Sequence, residues 1–281
     1  MTTSSTTTGV TDTATDAATG RAGDGPTSTR DLLVDGVLFD IDDTIVDTRT
    51  AFEAALTGVV AVYLPPLPDD EARARLRDVV AMWRADPHAR YRRYTSGQDT
   101  YLHQKMMRAN DLHAAFGGEP LDEDAFTAWN AVFDEGFRAA WAAHHETEAA
   151  LETLLAAGIA VGALSNAATP LQSAKLEKAG LLDRVPMLVG VDTLGVGKPD
   201  PRVFVEACRR LGTTPGRTAY VGDELDIDAV GAADAGLVGI WLDRPGARRT
   251  ALENADIEKL EPRGIPVIRS LLELPDLLRL G

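Results

Sequence analysis

Cysteine is almost missing from this chain: Cys208 stands alone among 281 residues. A single thiol excludes an intrachain disulfide and a cysteine-rich metal site; on its predicted helix, Cys208 reads as a small buried apolar residue. Positive charge is also scarce, with 28 Lys and Arg against 43 Asp and Glu and a formal net charge of −15. Nucleic acids and anionic membranes are held by clustered Lys and Arg, so neither is expected as a partner. A small anionic ligand stays open, because a local site can oppose the global sign. No stretch approaches the roughly 20 apolar residues that span a bilayer. The N-terminus has no basic region followed by an apolar one, as a secretory signal would. The expectation is a cytoplasmic protein; the oligomeric state is left open.

What is present is ordinary globular material, 44% apolar and 25% charged. The length suits one large domain or two unequal ones. Residues 1–30 hold eleven Thr and three Ser, with Met1 and Val10 as the only large apolar side chains. Such a segment buries too little surface to offset its ordering entropy and reads as a disordered tail. Val37, Leu38 and Phe39 form a short apolar run that stops at Asp40-Ile41-Asp42-Asp43-Thr44, the pattern of a buried parallel strand ending at a functional loop.

The texture then becomes helical. Phe52, Leu56, Val60 and Tyr63 recur at steps of four, four and three; Leu76, Val80 and Trp83 do the same; Phe126, Trp129, Phe133, Phe137 and Trp141 extend the pattern. About four helices are expected over 49–146. Beyond 146, helices alternate with apolar strands near 159–164, 187–191, 218–221, 237–242 and 265–268, and a last helical stretch runs over 271–280. Alternation of this kind implies right-handed crossovers and a parallel sheet covered on both faces. The domains read as an α/β core of 31–48 plus 147–281, with 49–146 as an all-helical insert.

Polar residues fall at strand ends. Asp40 and Asp42, Ser165, Lys198 and Asp223 each lie at or just past the end of an apolar run, the edge at which open α/β sheets bind ligands. Carboxylates offer oxygen ligands to a hard cation such as Mg²⁺. A hydroxyl and an ammonium donate to phosphate oxygens. Residue types and placement agree on phosphoryl transfer.

Asp40-Ile41-Asp42-Asp43-Thr44, Ser165-Asn166, Lys198-Pro199-Asp200-Pro201, and Gly222-Asp223 with Asp228 five residues on resemble the four motifs of the haloacid dehalogenase superfamily. They stand in its order, at separations of 125, 33 and 25 residues counted between Asp40, Ser165, Lys198 and Asp223. The resemblance implies a Rossmann-like α/β core and a helical cap of the C1 type in the 49–146 position. It implies Asp40 as nucleophile, forming an aspartyl-phosphate, and Asp42 as general acid and then base. Thr44, Ser165, Asn166 and Lys198 would form the phosphate-binding group, Thr44 by supporting its loop. Mg²⁺ would be held by Asp40, Asp223 and the backbone carbonyl of Asp42, with Asp228 behind them positioning Lys198 or a metal-bound water.

Asp42 also chooses among branches. Departure of an alkoxide needs a proton, whereas halide departure does not, and the dehalogenases lack this Asp. Phosphonate-cleaving relatives need a lysine soon after the nucleophile, and Lys105 is the only Lys between 44 and 174. The resulting expectation is a Mg²⁺-dependent phosphatase acting on a small phosphorylated metabolite. The alternatives are a phosphomutase with the same motifs and, in another class, a phospho-aspartate signalling protein. The basic stretch around His88, Arg90, Tyr91, Arg92, Arg93, Lys105 and Arg108 is either a solvated face paired with acids or a surface for an anionic leaving group. The Phe126–Trp141 stripe reads as core of the insert. His144 and His145 read as a surface helix end.

Overall fold

A computed structural model describes residues 33–245 and 260–279; the segment read as a disordered tail lies outside them. Six parallel strands form one sheet in the order β3-β2-β1-β4-β5-β6. They are β1 (Gly36–Phe39), β2 (Ala160–Leu164), β3 (Met187–Val189), β4 (Thr218–Gly222), β5 (Val238–Leu242) and β6 (Val267–Ile268). The central strand, β1, pairs with β2 on one side and β4 on the other, placing Phe39 level with Ala163 and Val221. Because all strands run the same way, the loops after β1, β2 and β4 emerge side by side at one edge.

The period-two alternation of a strand sorts β1 between two cores. Val37 and Phe39 face the cluster that includes Val161, Val221, Leu151 and Leu274, beneath α6 (Thr147–Ala156) and α10 (Leu274–Leu277). Leu38 faces the opposite cluster with Phe204, Ala207, Cys208 and Tyr220, beneath α8 (Pro201–Leu211) and α9 (Gly231–Asp234). Cys208 is buried there, as its apolar neighbours require.

Between β1 and β2 lie α1 (Thr48–Tyr63), α2 (Asp69–Ala85), α3 (Arg90–Thr95), α4 (Tyr101–Phe116) and α5 (Glu123–Ala139). These are four long helices and one short one more than expected: six residues over the basic stretch are too few to show a periodic apolar face. The aromatic stripe forms the third core, with Phe126, Trp129, Phe133, Phe137 and Trp141 all buried. Trp83 tilts against both Trp129 and Phe133, at 5.9 and 5.0 Å between ring centroids. Asp47 caps α1 and Asp122 caps α5, each carboxylate accepting an amide three residues on. Among the described residues no helix is long and apolar enough to cross a membrane.

Several expected boundaries move. The strand over 187–191 ends at Val189, because Val191–Thr193 turns into a 3₁₀ helix. The helix expected between the strands near 218–221 and 237–242 begins as a π-helical turn, Leu225–Val230, before α9. In place of the last helical stretch expected over 271–280, the described residues form a 3₁₀ turn, Leu271–Glu273, followed by the short α10 with Pro275 in its first turn. His144 and His145 lie in the loop between α5 and α6. His145 is exposed, while the His144 amide is tied to the Ile45 carbonyl at 3.2 Å.

Candidate active site

Strand β1 stops where its sequence turns polar. The Asp40 amide makes a last sheet bond to the Val221 carbonyl at 2.8 Å, after which the amides of Ile45 and Val46 both return to the Ile41 carbonyl at 3.1 and 2.9 Å. The tight turn puts Asp43 at φ 62, a left-handed conformation that Asp tolerates better than most side chains. Thr44 is thereby turned inward and fully buried; its hydroxyl meets the Asp40 carboxylate at 3.5 Å rather than the cavity above.

Lys198 is buried and uses all three donors of its ammonium: Asp40 Oδ1 at 2.6 Å, the Tyr220 hydroxyl at 2.7 Å and Asp228 Oδ1 at 2.7 Å. The Tyr220 hydroxyl donates onward to the Leu164 carbonyl at 2.9 Å. Asp228 Oδ2 accepts the Glu224 amide at 3.0 Å. Gly222 makes this approach possible, since a Cβ there would sit 2.3 Å from the Asp228 carboxylate. Burial favours a neutral Lys198, but the Asp228 and Asp40 carboxylates outweigh it and hold the ammonium well above the usual lysine range. Burial pushes the Asp40 carboxyl up to about 7 against the pull of Lys198, with like charge on Asp228 and Asp42 adding to the rise.

Asp42 has a separate set of partners. Its Oδ2 accepts Gln172 Nε2 at 2.6 Å. Its Oδ1 accepts the Thr48 hydroxyl at 2.7 Å and is ion-paired with the Lys175 ammonium. Burial favours its neutral form, yet Lys175, Thr48 and Gln172 together hold it below the ordinary carboxylate range. Gln172 Nε2 also reaches Ser165 Oγ at 2.7 Å. The side-chain amide of Asn166 brackets the Lys198 backbone, donating to its carbonyl at 3.0 Å and accepting its amide at 2.6 Å.

The structure thus gathers Asp40, Asp42, Ser165, Asn166, Lys198 and Asp223 around one cavity of about 780 Å³. Carboxylate oxygens of Asp40, Asp223 and Asp228 lie within 4.8 Å of one another. With all three carboxylates ionised, as they would be when ligating a cation, and the Lys198 ammonium counted, the cluster is two charges negative. Hard oxygen donors with that excess fit a divalent cation such as Mg²⁺. Sequence reasoning missed Thr48, Gln172, Lys175 and Tyr220. Tyr220 carries a hydroxyl inside an apolar strand, which must find a partner. Gln172 and Lys175 share a face of α7 (Thr169–Lys178) with the core residue Leu176, a polar pair where an apolar one belongs.

The helical insert closes the other side of the cavity with Trp83, Tyr91, Arg92, Arg108, Phe133 and Phe137, among others. The basic stretch is partly ion-paired with acids but is not a solvated face throughout: Arg90 binds Asp111 at 3.1 Å, and Lys105, which is buried, binds Asp134 at 2.6 Å. It also faces the site, since the Tyr91 hydroxyl donates to the Asn166 carbonyl at 3.0 Å. Arg84 of α2 forms a buried ion pair with Asp43 at 2.8 Å, fastening the insert to the turn after β1.

Comparison with known proteins agrees with this geometry. Residues 34–236 match the haloacid dehalogenase-like hydrolase family. The chain is 28% identical over 255 residues to a glyceraldehyde 3-phosphate phosphatase of Methanothermobacter thermautotrophicus, covering 88% of this chain and all of that one. It is 30% identical over 187 residues to a ribulose-1,5-bisphosphate 5-phosphatase of Halopiger xanaduensis, covering 65% of this chain and 74% of the relative. In fold it resembles the HAD-hydrolase YfnB of Bacillus subtilis, solved with magnesium, at a TM-score of 0.69 and 20% identity over 88% of this chain and 99% of the other. With its motifs gathered at one sheet edge beneath an inserted helical cap, the chain belongs to the haloacid dehalogenase-like hydrolases.

Proposed function

We propose that the protein is a Mg²⁺-dependent phosphatase that hydrolyses small phosphate monoesters of the cytoplasm through an aspartyl-phosphate on Asp40. The observation that carries this reading is the convergence of Asp40, Lys198, Asp228 and Asp223, with a second carboxylate, Asp42, two residues from the first. Relatives named as phosphatases of three-carbon and sugar phosphates support the substrate class.

In the first half-reaction an Asp40 carboxylate oxygen attacks phosphorus. The new phosphorus–oxygen bond forms as the ester bond breaks, and the leaving alkoxide takes a proton from Asp42, whose carboxylate, ionised in the free site, takes that proton up from water as the negative charge of the phosphate settles beside it. In the second, Asp42 takes a proton from water as that oxygen attacks phosphorus, and the bond to Asp40 breaks to release inorganic phosphate. Lys198 and the Ser165 hydroxyl hold phosphoryl oxygens and offset charge as it builds. Asn166 fixes the Lys198 backbone, Thr44 supports the Asp40 side chain, and Asp228 fixes the Lys198 ammonium. Asp40, Asp223 and the Asp42 carbonyl would hold Mg²⁺, which when bound supplies positive charge for the phosphoryl oxygens. The cap excludes bulk water and reads the leaving group.

The test is phosphate release from a panel of small phosphate esters with and without Mg²⁺. Release that needs metal, disappears in Asp40→Asn and needs more metal in Asp223→Ala is the expected result. Turnover retained by Asp40→Asn would overturn the nucleophile, and metal-independent release would overturn the cofactor.

A further inference from the structure

Lys175 is charged, 1% exposed and 133 residues from Asp42 in the chain, yet its ammonium bonds that carboxylate. A lysine is taken from water at considerable cost unless it is paired, so its place asks for a reason. Gln172, one turn earlier on α7 and fully buried, places a single Nε2 between Asp42 Oδ2 at 2.6 Å and Ser165 Oγ at 2.7 Å. The Lys175 ammonium also lies 5.4 Å from the Phe137 ring and 5.7 Å from the Trp141 ring, both in the core of the cap. Both oxygens of Asp42 are therefore met by donors from outside its own loop. Two of those donors sit on the helix that follows Ser165. An aspartate on a tight loop otherwise samples several rotamers, and these donors select one.

We infer that Lys175 and Gln172 are positioning residues for Asp42. Helix α7 holds the Asp42 carboxyl at a set place relative to the Ser165 hydroxyl and, through Phe137 and Trp141, relative to the cap. The proton then passes to the leaving oxygen from that one place. The inference rests on the phosphatase reading above and adds to it two side chains whose bonds go to Asp42 and Ser165.

Leaving-group chemistry tests it. An alkoxide must be protonated as its bond to phosphorus breaks, whereas nitrophenolate departs without a proton. In the first half-reaction a misplaced Asp42 is therefore felt on an alkyl phosphate and hardly on p-nitrophenyl phosphate, whereas the second half-reaction, which both esters share, slows alike for both; leaving-group release in a single turnover isolates the first. General loss of folding or of phosphate binding lowers both alike. Lys175→Met and Gln172→Leu each remove one donor at nearly constant volume, so either serves if the other fails to fold. In a variant whose circular dichroism and metal titration match wild type, the single-turnover rate of leaving-group release should fall by about 10- to 100-fold on the alkyl phosphate that wild type turns over fastest. On p-nitrophenyl phosphate it should fall by less than about 3-fold. Equal losses on both esters, or no loss on either, would overturn the positioning role while leaving the phosphatase reading intact. A wild-type enzyme that hydrolyses neither ester would instead overturn the phosphatase reading itself.

Discussion

Tyr220→Phe isolates one hydroxyl in the network beneath Asp40. The ring stays where it is, edge-on to Phe204 at 5.1 Å between centroids, so no cavity larger than one oxygen opens. Two strong bonds disappear, the donation to the Leu164 carbonyl at 2.9 Å and the acceptance from Lys198 at 2.7 Å, and with them the hydroxyl's longer contact to Asp228 Oδ1 at 3.3 Å. The first is a neutral bond worth about 1 kcal/mol net, the second a charge-assisted one worth about 1.5–3 kcal/mol. Both groups left behind are buried, so solvation returns little, and stability should fall by about 3 kcal/mol. Urea unfolding followed by circular dichroism reads this as a lower midpoint at an unchanged slope. Lys198 keeps Asp40 and Asp228, so phosphate release should fall by no more than about 10-fold, well short of removing a donor to the transition state outright. A stability loss below about 1 kcal/mol would refute the claim that this hydroxyl is structurally required. A fall in turnover as deep as that of Lys198→Met would show that Tyr220 governs the ammonium's position outright.

Two further outcomes follow from the same geometry. Burial favours a protonated Glu146, but its bond to Arg244, which also donates to the Thr44 carbonyl at 2.8 Å, outweighs this and lowers its pKa below the unfolded value of 4.5. A depressed carboxyl stabilises the fold above that value and loses the contribution as pH falls through its folded pKa. Glu146→Gln should therefore be less stable than wild type at pH 7, with a gap in urea midpoint that closes as pH falls below 4.5 and through the folded pKa; a gap independent of pH would count against the pairing. Gly222→Ala would bring a methyl to 2.3 Å from the Asp228 carboxylate, forcing Asp228 off Lys198. Phosphate release should drop by more than about 10-fold with about 1–3 kcal/mol of stability lost, and turnover equal to wild type would reject that account of the glycine.

Much of this protein was legible along the chain, and for local reasons. Apolar runs that break at Asp40, Ser165 and Asp223 mark strand ends, because a buried parallel strand stays apolar until it leaves the sheet. Steps of three and four from Phe126 to Trp141 mark a helix with one buried face. Motifs carry Asp40, Asp42, Lys198 and Asp223 by type and order, since each sits in a short segment whose pattern is its own. The short helix over Arg90–Thr95 and the π-helical turn at Leu225–Val230 left no such pattern. The first has too few turns to show one, and the second is shaped by the Asp228 carboxylate accepting the Glu224 amide.

What the tertiary structure alone decided is which distant side chains meet. The parallel sheet sets β1 between β2 and β4, so Tyr220 comes under Lys198 and donates across to Leu164. Packing of α7 between sheet and cap delivers Lys175 and Gln172 to Asp42 from more than a hundred residues away. Local periodicity records which face of an element is apolar; it carries no record of the partner across the interface. A buried lysine or glutamine is therefore legible in sequence only as an anomaly, and only the assembled fold shows what it holds.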